Sequence, residues 1–138
     1  AVELSSEVAT RSTLVVVLYR SPDVPAAVFL DHLETLLIAV TQDIKNKNVV
    51  ICGDLNIDGL SDQPEKTDLL CLLASHGLIS HLSVPTRVTQ HSATSIDYII
   101  TNYELCSDTQ TEVVELGLSD HSAQFLQLPF DCKKPKEK

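Results

Sequence analysis

The chain contains 138 residues, of which 43% are hydrophobic, and its formal net charge is −9. This length and apolar content fit a single domain with its own core, and no apolar run approaches the ~20 residues that a membrane-spanning helix needs. Four of the ten basic residues lie in the last six positions, so residues 1–130 carry six basic side chains against seventeen acidic ones. Since clustered lysine and arginine drive binding to nucleic acid, this body alone is expected to bind DNA weakly.

The predicted domain covers residues 1–130, and a basic, disordered tail is predicted over residues 131–138. The four cysteines are widely spaced and include no C-x-x-C pair, which favours neither a zinc site nor a disulfide framework. A reducing compartment is therefore expected, and with it an intracellular location, nuclear or cytoplasmic.

The first half of the chain predicts a strand, helix, strand order. Two strands are predicted in residues 1–6 and 11–20, and the continuous apolar run in the second predicts burial on both of its faces. After the break at "SPDVP", apolar residues recur at helical spacing from Phe29 to Ile44, with Pro25 suited to the first turn. The next strand, "VVIC", is then expected to pair in parallel with the second through a right-handed crossover.

The second half predicts one more helix and then strands. Asp62 and Glu65 have capping-box spacing ahead of a leucine-rich segment, and Gly77 is placed to end that helix. "PTRVTQHSAT" is interpreted as a polar loop, and "SIDYIITN" as a β-branched strand. "TEVVELGLSD" and "HSAQFLQLPF" predict two further short strands.

Four polar segments adjoin predicted strands: "YRSP" and "GDLN" follow the second and third strands, "SID" opens the fourth, and "LSDHS" lies between the last two. "GDLN" taken alone favours a turn, because Asp and Asn bond readily to nearby backbone. In layered α/β proteins, however, ligands bind where strand ends and their loops converge. Four such segments on four elements therefore predict one functional rim.

Together these segments resemble a known family. "VVVLYRSP", "ICGDLN", "PTRVT", "SIDYIITN" and "LSDHS", in this order, are similar to motifs of the endonuclease/exonuclease/phosphatase superfamily, specifically of the endonuclease domain of non-LTR, LINE-type retrotransposons. The match covers nearly the whole chain up to Leu128 and corresponds to the C-terminal part of that domain. The resemblance implies an α/β fold, a partial four-layer α/β sandwich that lacks its N-terminal strands.

The resemblance also implies roles for individual residues and a magnesium cofactor. Asp54 would orient or deprotonate the attacking water, and Asn56 would bind the scissile phosphate. His121 would contact the phosphate with help from Asp97, and Asp120 would lie near the divalent metal. Phosphate-contacting positions carried over from the family are Tyr19, Thr86 and Thr94. The last of these stands where the family has serine, with Ser95 displaced by one position, so a hydroxyl is kept.

The family domain further contains an upstream asparagine and an upstream glutamate, its principal metal ligand, and no substitute for them is evident in this sequence. Glu3, Glu7 and Glu34 are the candidates, but their positions favour surface salt bridges. Magnesium affinity is therefore expected to be weak or lost. Missing first strands would also leave a sheet edge and an apolar face to be covered by a second copy or by a partner protein.

Two functional hypotheses follow. In the first, the chain is the C-terminal part of a magnesium-dependent phosphodiesterase that nicks DNA, weak or inactive without the missing N-terminal half. In the second, it is a domesticated, non-catalytic interaction or binding module built on the nuclease scaffold. The acidic body and the missing ligands favour the second hypothesis, whereas the complete set of motif residues favours the first.

Overall fold

The computed structural model describes residues 1–5, 11–42, 44, 46–81, 84–103 and 110–127. The predicted basic tail, Glu7, Cys106 and Cys132 lie outside these residues. Within them the chain forms nine strands and two helices. In chain order they are β1 Val2–Leu4, β2 Ser12–Tyr19, α1 Ala26–Thr41, β3 Lys47–Asp54, α2 Pro64–Ser75, β4 Ile79–Ser80, β5 Arg87–Val88, β6 Ala93–Thr94, β7 Asp97–Thr101, β8 Gln110–Val114 and β9 Ala123–Gln127.

Five strands form one mixed sheet in the order β1-β2-β3-β7-β4. β2 and β3 pair in parallel over their full length, from Ser12 opposite Lys47 to Tyr19 opposite Asp54, and α1 lies between them in sequence. The other neighbours in this sheet are antiparallel. The predicted strand, helix, strand order and the parallel pairing are therefore confirmed. β5–β6 and β8–β9 form two separate two-stranded sheets.

One face of the five-stranded sheet forms the core with the two helices. The buried leucines of α1 are Leu33 and Leu37, and those of α2 are Leu69 and Leu73. They belong to the same hydrophobic cluster as Ile51 of β3, which is completely buried. Because α1 presents its leucines four residues apart, one stripe of the helix meets the sheet, as the helical spacing predicted.

The prediction that β2 is buried on both faces is wrong. Leu14, Val16 and Leu18 pack with the core cluster, but the side chains of Val17 and Tyr19 are 71% and 70% exposed. The helices pack on the other face, and a continuous apolar run cannot tell a strand buried on both faces from one with a single covered face.

The exposed side of β2 continues onto the edge strand. Register pairs Val2 with Val15 and Leu4 with Thr13, so these two residues of β1 share a face with the odd-numbered residues of β2. Val2 is 60% exposed and Leu4 is 57% exposed. We call Val2, Leu4, Val17 and Tyr19 the apolar strip. Its exposure matches the expectation of an apolar sheet face that is available to another chain.

Two local predictions need correction. α2 begins at Pro64 with Gln63 as its N-cap, without a side-chain capping bond, so the predicted capping box of Asp62 and Glu65 does not form. The predicted polar loop contains the β5–β6 hairpin, whose two-residue strands are too short to leave a periodic signal in the sequence. Gly77 does end α2 as predicted, at φ 68°. Neither helix of the described residues is long and apolar enough to cross a membrane.

His81 gives the fold a predictable dependence on pH. Its Nε2 lies 2.5 Å from the hydroxyl of Thr101, and partial burial lowers the pKa of His81 below its usual 6.5. The unfolded chain therefore binds the proton first, and stability is lost as pH falls from 6.5 through the folded pKa. We expect urea unfolding to show a larger loss between about pH 7.5 and about pH 5.5 in wild type than in His81→Gln. His91→Gln, in an exposed position, is the control; an equal loss in all three proteins would contradict this assignment.

Candidate active site

Three polar side chains form a row across neighbouring strands. Register places Tyr19 of β2 beside Asp54 of β3, and Asp54 opposite Asp97 of β7. Paired residues in a sheet point to the same face, and here that face is the one that carries the apolar strip. The row lies where β2 and β3 end and where β7 begins, so the predicted rim of strand ends is present.

Gly53 allows β3 to approach β2 closely just before this row. Its φ is 137°, and a Cβ atom added there would lie 1.9 Å from the carbonyl oxygen of Leu18. The glycine of "GDLN" is therefore a packing requirement. Leu55, which follows the aspartate, is 1% exposed and belongs to the core cluster, so it packs beneath the site.

Asp97 is held by a buried threonine. The hydroxyl of Thr86 donates to Asp97 Oδ2 at 2.7 Å, and Thr86 Oγ1 itself accepts from the backbone N–H groups of Ile96 and Asp97 at 3.2 and 3.1 Å. Thr86 is completely buried. Its hydroxyl therefore fixes the rotamer of the carboxylate, and its predicted contact with phosphate stays a prediction.

His121 comes to this row from a distant segment. Residues 120–122 flank β5 through two backbone bonds, from Val88 N–H to the Asp120 carbonyl and from Ser122 N–H to the Thr86 carbonyl, at 2.9 and 2.8 Å. The imidazole Nδ1 then donates to Asp97 Oδ2 at 3.0 Å. Because a carboxylate only accepts, this bond places the proton on Nδ1 and leaves Nε2 for another partner.

Asp54, Asp97 and His121 could together hold a metal ion, since one ligand atom from each lies within 4.8 Å of the other two. All three are half-buried. Two carboxylates directly opposite each other in a sheet repel, and a bound cation would relieve that repulsion. The two oxygen donors fit a hard divalent cation such as Mg²⁺ or Mn²⁺. The donor set therefore fits the predicted metal.

The other predicted residues lie around this group. Asp120 is paired with Arg87, whose Nε donates to its carboxylate at 2.7 Å. This hydrogen bond lowers the pKa of Asp120 below its usual value. The structure therefore gives Asp120 an arginine partner, and its predicted role beside the metal stays a prediction. Tyr19 is exposed beside Asp54, and Thr94 is half-buried, with its carbonyl accepting from Thr86 N–H.

Asn56 follows the row at a strained backbone position. Its φ is 50°, in the left-handed region that asparagine tolerates better than most residues. Its N–H donates to Asp54 Oδ1 at 2.9 Å, and its side-chain amide donates to the carbonyl of Arg20 at 2.7 Å. The predicted site residues Asp54, Asn56, Asp97 and His121 therefore lie in one continuous region of the surface.

Sequence reasoning missed two arginines that the structure places here. Arg87 pairs with Asp120, and Arg20 bonds to the loop after β3. Both stand inside segments singled out in the sequence, "PTRVT" and "YRSP". A motif shows that such a residue is near the site, but not whether its guanidinium faces solvent or backbone.

Substitution of Thr86 by valine should test its hold on Asp97. Valine keeps the shape but removes the hydroxyl, which leaves buried groups unpaired and should cost about 1–3 kcal/mol of stability. With Asp97 free to rotate, affinity for divalent metal should fall about tenfold or more. Chemical denaturation and calorimetric titration with Mn²⁺ measure both effects. Thr86→Ser keeps the hydroxyl, so a serine variant as impaired as the valine variant would argue against this role.

Comparisons with known proteins identify the family of this chain. A family model described as endonuclease-reverse transcriptase matches residues 13–125. Since the match covers most of the sequence, the chain belongs to this family, and the resemblance found in its motifs is confirmed. No curated protein matches the sequence.

Solved structures show the same α/β fold. The endonuclease domain of TRAS1, a telomere-specific non-LTR retrotransposon, matches with a TM-score of 0.74 at 18% identity over 93% of this chain. An endonuclease/exonuclease/phosphatase family protein from Leptotrichia buccalis C-1013-b matches with a TM-score of 0.62 at 16% identity, again over 93% of this chain. The chain spans 60% of the first structure and 52% of the second.

Proposed function

We propose that this chain carries the chemistry of a magnesium-dependent phosphodiesterase that nicks DNA. The observation that carries the proposal is the convergence of Asp54, Asp97 and His121 to within 4.8 Å, although they lie far apart in sequence. The family match and the likeness to a retrotransposon endonuclease domain support DNA as the substrate class.

The proposed mechanism divides the reaction among side chains that are already held in place. Asp54 uses one oxygen to accept from Asn56 N–H, so its other oxygen can orient or deprotonate the attacking water. Asp97 accepts from His121 Nδ1, so the protonated imidazole can donate its Nε2–H to an oxygen of the scissile phosphate, while the carboxylates of Asp54 and Asp97 would hold the cation. A bound divalent cation would neutralise charge on the phosphoryl oxygens and stabilise the leaving alkoxide.

The phosphate-binding residues would surround this centre. Tyr19 is paired with Asp54 in the sheet and Asn56 donates its backbone N–H to Asp54, and the phenol hydroxyl and side-chain amide of these two residues would donate to phosphoryl oxygens. Thr94 keeps its predicted phosphate role, whereas the buried hydroxyl of Thr86 acts through Asp97. Asp120 stays the proposed metal-side carboxylate, because its pairing with Arg87 is exposed and can be exchanged for a cation.

Turnover is proposed to be weak. Within the described residues, Asp54, Asp97 and His121 form the candidate ligand group, so few protein ligands are available to the cation. Each 1.36 kcal/mol of lost transition-state stabilisation lowers the rate about tenfold. The chain spans 60% of the TRAS1 domain, and we propose that it acts as the C-terminal part of such a nuclease and needs the N-terminal part for full activity.

A plasmid assay tests this proposal. Supercoiled DNA incubated with the purified chain and Mg²⁺ should be nicked slowly, and chelation of the metal should stop the reaction. Asp54→Ala should remove the activity, whereas Asp31→Ala, an exposed position on α1, should not. Absence of nicking at any Mg²⁺ concentration, or equal nicking by the Asp54 variant, would reject the enzymatic proposal.

A second candidate function is a non-catalytic interaction module, domesticated from the nuclease scaffold. The observation in its favour is the apolar strip, which presents Val17 and Tyr19 to solvent at 71% and 70% exposure. We propose that a second copy of the chain covers it, because β1 is an edge strand whose free side can pair with its own copy about a two-fold axis.

Light scattering tests this association. We expect wild type to be a dimer and Val17→Asp to be a monomer, because burying an unpaired carboxylate opposes the interface. Val28→Asp, on the exposed side of α1, should stay dimeric. A wild-type chain that is monomeric at the highest soluble concentration would contradict the proposal.

We also propose a reducing, intracellular compartment, nuclear or cytoplasmic. Cys52 and Cys71, the cysteines within the described residues, are free thiols. Partial burial raises the pKa of Cys52, which keeps this thiol protonated and slow to react.

A further inference from the structure

Arg20 is a buried charged residue whose side chain donates hydrogen bonds to backbone carbonyl groups. Its exposed fraction is 8%, and no carboxylate lies within ion-pair distance of it in the described part of the chain. Its guanidinium donates instead to three carbonyl groups: Nε to Leu55 at 2.6 Å, Nη2 to Asn56 at 2.5 Å, and Nη1 to Val24. Burying a charge is unfavourable unless it is well hydrogen-bonded. The buried guanidinium therefore depends on these carbonyl groups, two of which belong to the loop that follows β3.

The backbone of Arg20 bonds to the same loop. Its N–H donates to the carbonyl of Asp54 at 2.9 Å, and its own carbonyl accepts from the side-chain amide of Asn56 at 2.7 Å. Each residue from 54 to 56 therefore makes at least one hydrogen bond to Arg20. On its other side, the loop is fixed to the segment before β7, because Leu55 N–H donates to the carbonyl of Ile96 at 2.9 Å.

The hydrogen bonds from Arg20 hold the backbone that positions the two site residues of the loop, Asp54 and Asn56. Asn56 has a left-handed φ of 50°, which persists only where the surroundings over-determine it. That conformation directs the Asn56 N–H at Asp54 Oδ1 and keeps the Asn56 amide beside Arg20. If the loop relaxed, the carboxylate of Asp54 would lose its hydrogen bond from the Asn56 N–H, and the Asn56 side chain would move away from Arg20.

We infer that Arg20 is a positioning residue, which holds Asp54 and Asn56 in reactive geometry by clamping the carbonyl groups of residues 55 and 56. The inference rests on the proposed function for its catalytic consequence. Lysine cannot replace it, because one ammonium group cannot reach three carbonyls that a planar, forked guanidinium bonds at once.

Amide hydrogen exchange measured by NMR tests the clamp without any need for activity. In Arg20→Ala, exchange at the Asn56 N–H should accelerate about tenfold or more, while exchange at Ile51 in β3 stays as in wild type. Arg20→Lys should show most of the same local acceleration, and it also serves if the alanine variant does not fold. Arg11→Ala removes an arginine from an exposed position before β2 and should change neither amide.

Chemical rescue separates the clamp from general destabilisation. An open cleft of about 500 Å³ borders Arg20 and Asn56, so a free guanidinium ion can reach the space that the alanine variant leaves. Millimolar guanidinium should slow Asn56 exchange again, and ammonium should not. Unchanged exchange at Asn56, acceleration spread evenly through the sheet, or equal rescue by ammonium would overturn the inference.

Steady-state nicking tests the catalytic consequence. Arg20→Lys should lower kcat about tenfold or more with little change in KM, because the reactive geometry is lost while surface contacts with DNA remain. An unchanged kcat would overturn the positioning role. If wild type does not nick DNA, the proposed function fails, and the exchange and rescue measurements still decide whether Arg20 holds the loop.

Discussion

Substitution of Asp97 by asparagine is expected to abolish metal-dependent cleavage, with a loss on the order of 10³-fold in kcat. This carboxylate accepts from the Thr86 hydroxyl and from His121 Nδ1, and it lies opposite Asp54 in the sheet. Asparagine keeps the shape of the side chain but removes one negatively charged metal ligand. Its amide can also turn an N–H group, instead of an accepting oxygen, toward His121. The imidazole then loses the partner that fixes its tautomer, so the metal site and the phosphate contact should fail together.

Plasmid nicking and Mn²⁺ calorimetry measure this loss. Asp31→Asn removes the same charge from the exposed side of α1 and should behave as wild type, which controls for the change in net charge. Circular dichroism should show that Asp97→Asn is folded. Wild-type cleavage by the Asp97 variant would remove this residue from the mechanism.

Substitution of Gly53 by alanine is expected to have the largest effect on stability. The new methyl group would lie 1.9 Å from the Leu18 carbonyl oxygen, a distance that only movement of β2 away from β3 can relieve. Because the methyl group would clash with a backbone atom in the centre of the sheet, no side-chain movement can relieve the contact. We expect the free energy of unfolding to fall by more than about 4 kcal/mol, enough to unfold a typical domain. Urea denaturation and the yield of folded protein measure it.

Gly117 provides a matched comparison. It also has a positive φ, 65°, but a Cβ atom added there meets nothing within 4 Å. Gly117→Ala should therefore lose only about 1 kcal/mol, from backbone strain alone. Similar losses in both variants would show that conformation, and not the approach of the two strands, makes Gly53 necessary.

Much of the fold was predictable because its signals are local. α1 follows from apolar residues at helical spacing, α2 from a leucine-rich segment that Gly77 ends, and β2, β3 and β7 from apolar or β-branched runs. The exposed face of β2 was missed because the burial of each face depends on whether another element packs on it. The residues of the strand alone do not show this. The β5–β6 hairpin was missed because two-residue strands have no period.

The candidate site was predictable to the extent that its residues occur in ordered motifs. Asp54, Asp97 and His121 stand out as polar groups next to predicted strands, and the structure brings them together. Their supports were not predictable, because a buried hydroxyl such as that of Thr86 and a buried guanidinium such as that of Arg20 have the same sequence appearance as exposed ones. Those bonds depend on contacts between residues distant in sequence.

Titration of the isotopically labelled chain with Mn²⁺, followed by paramagnetic broadening in NMR spectra, tests most directly whether Asp54, Asp97 and His121 form one metal site. We expect the amide signals of these three residues and of Thr86 to broaden first and together, and Asp54→Ala to weaken the effect throughout the group. No broadening at millimolar Mn²⁺, or broadening centred on another acidic surface, would contradict the site on which the proposed chemistry depends.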